Sequence, residues 1–536
     1  MESWDVVIVG SGPAALRAAI AAADAGTIPL MIDSSGVGAA SGAAPLSGLA
    51  ASIDETDSTA HREDTVSAGG DSTDRVAAAR TCGEAVSVLA ELERWGLVLR
   101  RRDGGLPHAS EAPGHSRPRL TGCGDGTTRE VTRILEEQTI KRGVARRSDL
   151  LPLSLAMDNR QVRGIVVLDL QTGTITPIQA KAVILATEGH QGIWSSPSSG
   201  AGTGAAIAAA AGVGLSGMAH SPMHPLTVRG TDMQLPIDLL GSGGRLRKES
   251  GDDVGPEAVL EGEDCVLDLR SLESDATPWF AESARRVRER TGLDASMEVI
   301  PISSSIAATT GGAPVDADGR VTFDDDKMWF TGLYAAGRSA YTGVHGAGIL
   351  PGNLLLDDLV SGQSAGTHAG NWAKDASFGG SSVVDSASNE ASIRITSLSN
   401  NSGHSVGQVS ASISSTMQNI NGNRNESALA SAVSALDEIR GVGIKVNDKS
   451  SVMNTELATA LHLEGMLMLA DIIGSSEGSN ERLRAQYLHT HNPRQDTLSQ
   501  SVRGQTCLRL PRHQSVQPRA HPCGSQRAGC HPRCPL

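Results

Sequence analysis

The sequence predicts an α/β protein built on a Rossmann-like dinucleotide-binding unit, and three observations carry that prediction. A β-turn-α-β pattern with Gly-x-Gly-x-x-Ala at its first turn occupies the first 33 residues. Two further short apolar strands, each close to a glycine, lie far apart at residues 182–187 and 332–337, with a long polar stretch between them. Apolar residues then recur at helical spacing at Ala460, Leu463, Leu467 and Ala470.

The first unit is the most specific. Asp5-Val-Val-Ile-Val9 is a nearly all-apolar, β-branched run, as a strand buried on both faces requires. Gly10 permits the tight turn, Gly12 lets backbone approach a diphosphate, and Ala15 is small enough for close helix–strand packing. Pro13 and Ala14 open an alanine-rich helix that runs to about residue 24 and closes at Gly26. Its N-terminus offers free N–H groups to phosphate. A second strand over 28–32 ends at Asp33, placed to bond a ribose hydroxyl.

Residues 162–170 and 174–179 read as a hairpin turning at Gln171-Thr172-Gly173, with 182–187 a separate buried strand. Residues 201–214 are a small-residue helix candidate. The polar segment 215–306 reads as an insertion, after which the strand at 332–337 resumes the first domain. Residues 374–425 are rich in Ser, Asn and Gly and poor in large apolar side chains, which predicts a linker or loosely ordered segment. The expected divisions are 1–214 and 307–373 for the dinucleotide-binding domain, 215–306 for the insertion, 374–425 for the linker, 426–480 for a helical domain, and 481–536 for a tail.

Composition narrows the function. There are 46 Lys and Arg against 60 Asp and Glu, a net charge of −14, which argues against a dedicated nucleic-acid binder. Six Trp, three Tyr and four Phe leave the core to Ala, Val, Ile, Leu and Met. Of seven cysteines, Cys82, Cys123 and Cys265 are scattered through the body without a disulfide framework, which suggests a reducing, cytoplasmic compartment. Residues 1–5 lead straight into a strand, and the longest uncharged apolar segment, 203–219, is broken by Gly and Ser. No leader and no direct membrane insertion are therefore expected. Residues 497–536 hold six Arg and no Asp, Glu or Lys, so the body carries −20 and the tail +6. That break predicts a disordered or out-of-frame extension. Cys523, Cys530, His531 and Cys534 in it lack paired Cys-x-x-Cys spacing, and no metal is expected.

The chain resembles the flavoprotein subunit of succinate dehydrogenase and fumarate reductase, a family that includes L-aspartate oxidase. The resemblance runs over residues 4–372 and more faintly to 475. Besides the N-terminal motif, its carriers are Glu91-Leu-Glu-Arg-Trp-Gly96, Arg117-Pro-Arg-Leu-Thr-Gly-Cys-Gly124 and Met223-His-Pro225. Thr310-Gly-Gly312, Gly332-Leu-Tyr-Ala-Ala-Gly337, Val344-His-Gly-Ala347 and Gly352-Asn353 complete the series.

The resemblance implies a Rossmann-like FAD-binding domain interrupted by an α+β capping domain, then a helical domain. It also implies hydride exchange between flavin N5 and a small organic acid or dicarboxylate, and an iron-sulfur partner subunit, since the body has no cysteine cluster for such a centre. It places FAD against Gly10, Gly12, Pro13, Ala14, Ala15, Asp33, Ser41, Gly42, Ala186, Thr187, Gly337, Arg338, Asn353 and Leu355. His224 falls on the substrate-binding His. Arg245 is the candidate for the proton-transfer Arg, with a solvated cluster of Arg245, Arg247 and Lys248 as the alternative.

The departures are as informative. The family's second site His falls on Ala307, its carboxylate-clamping Arg on Ile349, and its Thr-Glu pair on Pro236-Ile237, with Asp238 one place off. The His that attaches FAD covalently falls on Gly36, so FAD is expected to be non-covalent. Arg338 stands where the family has a flavin-contacting Glu, Thr203 where it has Asp, and Glu188 where it has Gly. Two readings follow: an FAD-dependent oxidoreductase with an altered substrate, or a non-catalytic flavin-binding or assembly subunit.

Overall fold

The computed structural model describes residues 1–35, 47–102, 104–324, 326–421 and 424–475. The N-terminal strand β1 (Glu2–Val9) buries Val6 to Val9 and leads into helix α1 (Pro13–Asp24), with Pro at its first position, then strand β2 (Pro29–Ile32). A short strand β3 (Leu49–Ala50) and helices α2 (Ser58–Gly69), α3 (Arg75–Gly83) and α4 (Ala85–Arg94) follow. Strand β4 (Leu120–Thr121) pairs with β3, and helix α5 (Thr127–Lys141) packs on α1. Strands β5 (Ala145–Arg147), β6 (Leu150–Asp158), β7 (Gln161–Asp169) and β8 (Thr174–Leu185) lead to α6 (Thr203–Ala210).

The expected hairpin forms from β7 and β8, and its second strand and the separate strand after it prove to be a single element. β8 runs antiparallel to β7 along its first half and parallel to β1 along its second. Lys181 interrupts its apolar pattern without breaking it, because Nζ reaches Asp5 Oδ1 at 2.8 Å and the Ala373 carbonyl at 3.0 Å. The small-residue helix is shorter than expected, ending at Ala210 just before Gly212, which adopts a left-handed φ of 88°.

The segment 215–306 folds as its own sheet: β9 (Met223–Val228), β10 (Arg245–Lys248), β11 (Asp253–Val254), β12 (Cys265–Asp268) and β13 (Ile300–Ile306), in the order β11-β10-β12-β13-β9. Helices α7 (Asp238–Gly241), α8 (Pro256–Leu260) and α9 (Ala281–Thr291) accompany it. Leu226, Leu246, Leu267, Ile300 and Ile302 form its core, and Ala50 and Leu120 of the β3–β4 pair belong to that core too.

The chain then returns through β14 (Ala313–Pro314), β15 (Arg320–Phe323) and β16 (Met328–Ala335). β16 pairs parallel with β8. The parallel part of the main sheet thus reads β16-β8-β1-β2-β5, with its carboxyl ends gathered where α1 begins. The 23-residue helix α10 (Asn353–Asp375) lies along α1. Their approach needs glycine: a Cβ on Gly362 would meet the Ala14 carbonyl oxygen at 2.4 Å, and one on Gly366 the Ala18 oxygen at 2.2 Å.

Residues 374–425 correct the linker expectation. Helices α11 (Ser382–Asn400) and α12 (Val406–Ile420) occupy most of the segment and bury Val384, Ala391, Leu398, Val409, Ile413, Met417 and Ile420. Few apolar residues suffice because they fall at helical spacing, seven apart in α11 and three or four apart in α12, while most of the Ser and Asn face water. Ser414 Oγ and Gln418 Nε2 of α12 donate to the Trp194 carbonyl, fastening the helix to the first domain.

Helices α13 (Glu426–Val442) and α14 (Thr455–Gly474) complete the described fold. α14 is long and apolar enough to cross a membrane, which the sequence reading did not single out. Here Ala460, Leu463, Leu467 and Ala470 are buried, and the helix packs on α6, α12 and α13 as a core element. The arginine-rich tail and its four-residue Cys/His set lie outside the described residues.

Candidate dinucleotide site and the cap interface

The turn after β1 is fixed by Gly10, whose N–H donates to the Ile32 carbonyl at 2.8 Å. Gly10 has φ of 129°, and a Cβ there would lie 2.1 Å from the Ala186 oxygen, so no other residue fits. Gly12 is the extended N-cap of α1 and has no side chain to satisfy the first-turn N–H groups. Those donors therefore face an adjoining pocket. Gly10, Ser11, Gly12, Pro13, Ala14, Asp33, Ala186, Thr187, Glu188, Arg338 and Asp358 line it. The helix dipole adds positive potential at the same end. Backbone donors, close approach and dipole together meet what a dinucleotide diphosphate requires.

Eight of the residues singled out in the sequence thus meet in one pocket: Gly10, Gly12, Pro13, Ala14, Asp33, Ala186, Thr187 and Arg338. Ala15 stands behind, fully buried against the sheet. Gly337 adjoins it and donates its N–H to Ser361 Oγ at 3.0 Å. Burial pushes the Asp33 carboxyl up, against the pull of the hydrogen bond from the Ser35 hydroxyl, while the charge of Glu188 also raises it. Ser41, Gly42 and Gly36 lie outside the described residues.

The structure places four predicted residues elsewhere. Asn353 is fully buried with its amide committed: Oδ1 accepts from His61 Nε2 at 2.6 Å and Nδ2 donates to Thr65 Oγ1 at 2.8 Å. Leu355 is a core residue of the layer between α1, α10 and the sheet. His224 is buried in β9, where Nε2 donates to the Leu235 carbonyl at 2.8 Å, and burial lowers its pKa to about 4. Arg245 is exposed on β10 and pairs with Asp253 at 3.3 Å. Beside it Arg247 bridges Asp253 and Asp268, and Lys248 pairs with Glu263. Strand pairing sets Arg245 opposite Asp268 and Arg247 opposite Asp253, an arrangement that accords with the surface-cluster alternative.

Two residues of the pocket wall, Glu188 and Asp358, and Ser339 beside it escaped the sequence reading or entered it only as oddities. Glu188 Oε1 accepts from Thr203 N at 3.1 Å and Thr203 Oγ1 at 2.6 Å, so the carboxylate at residue 188 holds the first turn of α6. Ser339 Oγ accepts from Thr187 N at 2.8 Å. Asp358 was hidden in an apolar run, Leu354-Leu-Leu-Asp-Asp-Leu-Val360, where two adjacent acids among buried leucines are the detectable signal.

The inserted sheet, the cap, is tied to the first domain by polar bonds. Asp238 Oδ2 accepts from Gly48 N, Arg100 Nη2 donates to Asp275 Oδ2 at 2.9 Å, and Asp125 Oδ2 accepts from Ser283 N at 2.7 Å. Near this junction, buried His345 faces Asp357 at 3.5 Å, and neither of its ring nitrogens has a hydrogen-bond partner among the described residues.

Comparison with known proteins agrees with this geometry. A family model described as "FAD binding domain" matches residues 5–355, and one described as "Fumarate reductase flavoprotein C-term" matches residues 411–482. The succinate dehydrogenase flavoprotein subunit of Rickettsia bellii is 27% identical, with 92% of this chain and 91% of that protein covered. The 8-methylmenaquinol:fumarate reductase flavoprotein subunit of Wolinella succinogenes is 30% identical over 71% of this chain and 67% of its own. Among solved structures, an E. coli quinol fumarate reductase FrdA mutant shares the fold with a TM-score of 0.80 at 22% identity, covering 88% of this chain and 89% of that one.

Proposed function

The chain belongs to the succinate dehydrogenase/fumarate reductase flavoprotein family of FAD-dependent oxidoreductases, and on that premise we propose that it exchanges a hydride between non-covalently held FAD and a small organic acid. When bound, the flavin supplies the redox step. The chain's own residues do the rest. Gly10, Gly12 and the first turn of α1 receive the diphosphate, Asp33 accepts from the adenosine ribose, and Thr187, Gly337 and Arg338 border the path beyond it.

The observation that carries the reading is an intact cradle beside an altered acid-binding side. Ala307 and Ile349 lack the donors expected there, and Arg245 is held by Asp253. Losing a guanidinium that meets a buried carboxylate costs about 2–5 kcal/mol, which favours a substrate with less negative charge than a C4 dicarboxylate. An iron-sulfur subunit is the expected electron partner. Peripheral attachment to a membrane through partner subunits accords with a family named for flavoprotein subunits.

The test combines two measurements on the purified chain. Acid precipitation should release all flavin into the supernatant, as non-covalent attachment requires. Reduced viologen dye should be reoxidised by at least one member of a panel of mono- and dicarboxylic enoates. Flavin that stays with the pellet overturns the non-covalent reading. Flavin that no acid reoxidises leaves the binding-subunit reading in its place.

A further inference from the structure

Asp357 and Asp358 lie within the buried N-terminal half of α10, and only the first is accounted for. Asp357 accepts from Thr342 Oγ1 at 2.8 Å and faces His345. Asp358 is as deeply buried, accepts no hydrogen bond among the described residues, and has Arg338 as its nearest cation, 3.9 Å away. It lines the dinucleotide pocket. Its Oδ1 lies against Gly337, where an added Cβ would be 2.8 Å from that oxygen and 2.6 Å from Ala14 Cβ. Ala14 is in the first turn of α1, so the carboxyl stands beside the phosphate-binding end of that helix.

Two negative charges of a diphosphate cannot be set against a third, buried one without cost. The groups facing Asp358 leave little to offset it. Arg338 and His345 favour its charge, while Asp357 on the same helix opposes it, and Asp33 and Glu188 line the same pocket. Burial outweighs them and raises the carboxyl to about 6 before any ligand is added.

We propose that Asp358 is a cofactor-binding residue that acts as a neutral acid, taking one proton from solvent as FAD binds and donating its O–H to a diphosphate oxygen. Charge and atoms balance as carboxylate plus proton plus FAD giving the carboxylic acid in the complex, with no other bond made or broken. Arg338 offsets part of the diphosphate charge. Asp358 and Arg338 together thus do in this chain what a pair of backbone donors alone would do less tightly. The inference rests on the FAD-binding reading above.

The experiment is a titration of flavin-stripped protein with FAD, followed by quenching of flavin fluorescence, between about pH 5.5 and 8.5. Calorimetry in phosphate and in Tris counts protons. Affinity should fall up to about tenfold per pH unit in the upper part of that range, with about one proton taken up per FAD. D358N, whose amide donates without titrating, should bind with an affinity flat in pH and tighter than wild type at pH 8. D358L should also be flat but weaker than D358N by about tenfold, the worth of one charge-assisted hydrogen bond. A wild-type affinity flat in pH, or one that weakens toward low pH, overturns the inference while leaving FAD binding standing. The same holds if D358N binds worse than wild type at pH 8. Failure to bind FAD at every pH overturns both readings together.

Discussion

Asp238 Oδ2 accepts the backbone N–H of Gly48 at 2.7 Å, joining the cap to the first domain across 190 residues of sequence. Its Oδ1 has no partner among the described residues, and burial drives the carboxyl up to about 7, against the lowering pull of the Gly48 N–H. An Asp in the unfolded chain ionises near 3.9. Between about pH 4 and 7 the folded chain therefore keeps a proton that the unfolded chain has released. This contribution to stability is complete below pH 4 and is lost as pH rises through 7, a swing of about 4 kcal/mol. Asp238→Asn keeps the acceptor and removes the titration. Urea midpoints at pH 5 and pH 8 should diverge less for the variant than for wild type, and equal divergence would refute the assignment.

Arg119 is fully buried and donates two hydrogen bonds to the Asp57 carboxylate, at 2.6 and 2.9 Å, plus one to Asp64 at 2.9 Å. Replacing it leaves two acids without their cation. Arg119→Met should cost about 3–5 kcal/mol in chemical denaturation. Arg119→Lys should recover little of this, because an ammonium cannot reach both carboxylates in the planar fork geometry. Full recovery with Lys would show that charge alone matters here.

Gly10→Ala sets a methyl group 2.1 Å from the Ala186 oxygen in a backbone conformation that side chains rarely adopt. The strand must shift, and with it the first turn of α1. The ratio of flavin to protein absorbance after purification should fall at least about tenfold. Ala15, behind the cradle, predicts a different outcome: Ala15→Val should lower stability before it lowers flavin content.

The cap of α12 gives a local test of the helical region. Ser405 Oγ accepts from Gln408 N while the Gln408 side chain accepts from Ser405 N, a reciprocal capping box. Ser405→Ala should cost about 1 kcal/mol, and limited proteolysis should then cut near residue 405 sooner than elsewhere. Unchanged cleavage would mean that the bonds to the Trp194 carbonyl, not the cap, hold the helix.

What could be read in advance depended on whether an element's purpose is local. The β1–α1 turn states its requirements in adjacent residues, since a tight turn, a close approach and a helix start all need particular side chains at fixed spacing. α11 and α12 do not. Their composition of Ser, Asn and Gly resembles a solvated chain, and only the three-and-four spacing of Val409, Ile413, Met417 and Ile420 marks a buried stripe. The site residues followed the same division. Gly10 and Asp33 were legible, but the acceptor for His224 is the Leu235 carbonyl and the partner of Arg245 is Asp253, both set by how separate segments of the chain pack together. The commitment of the Asn353 amide was equally hidden: His61 and Thr65, nearly 300 residues away, claim it.

The seating of α14 on α6 has a practical consequence for dissecting the chain. Glu188 at the pocket holds the first turn of α6, and Gly465 of α14 lies close against Ala206, three residues further along that helix. A fragment cut after α13 would retain every glycine of the cradle and lose the floor under its rim. The flavin-holding unit is discontinuous, and its missing piece is a single 20-residue helix. Fragment complementation, with residues 455–474 supplied as a separate peptide, is therefore the shortest route to restoring flavin retention in such a truncation.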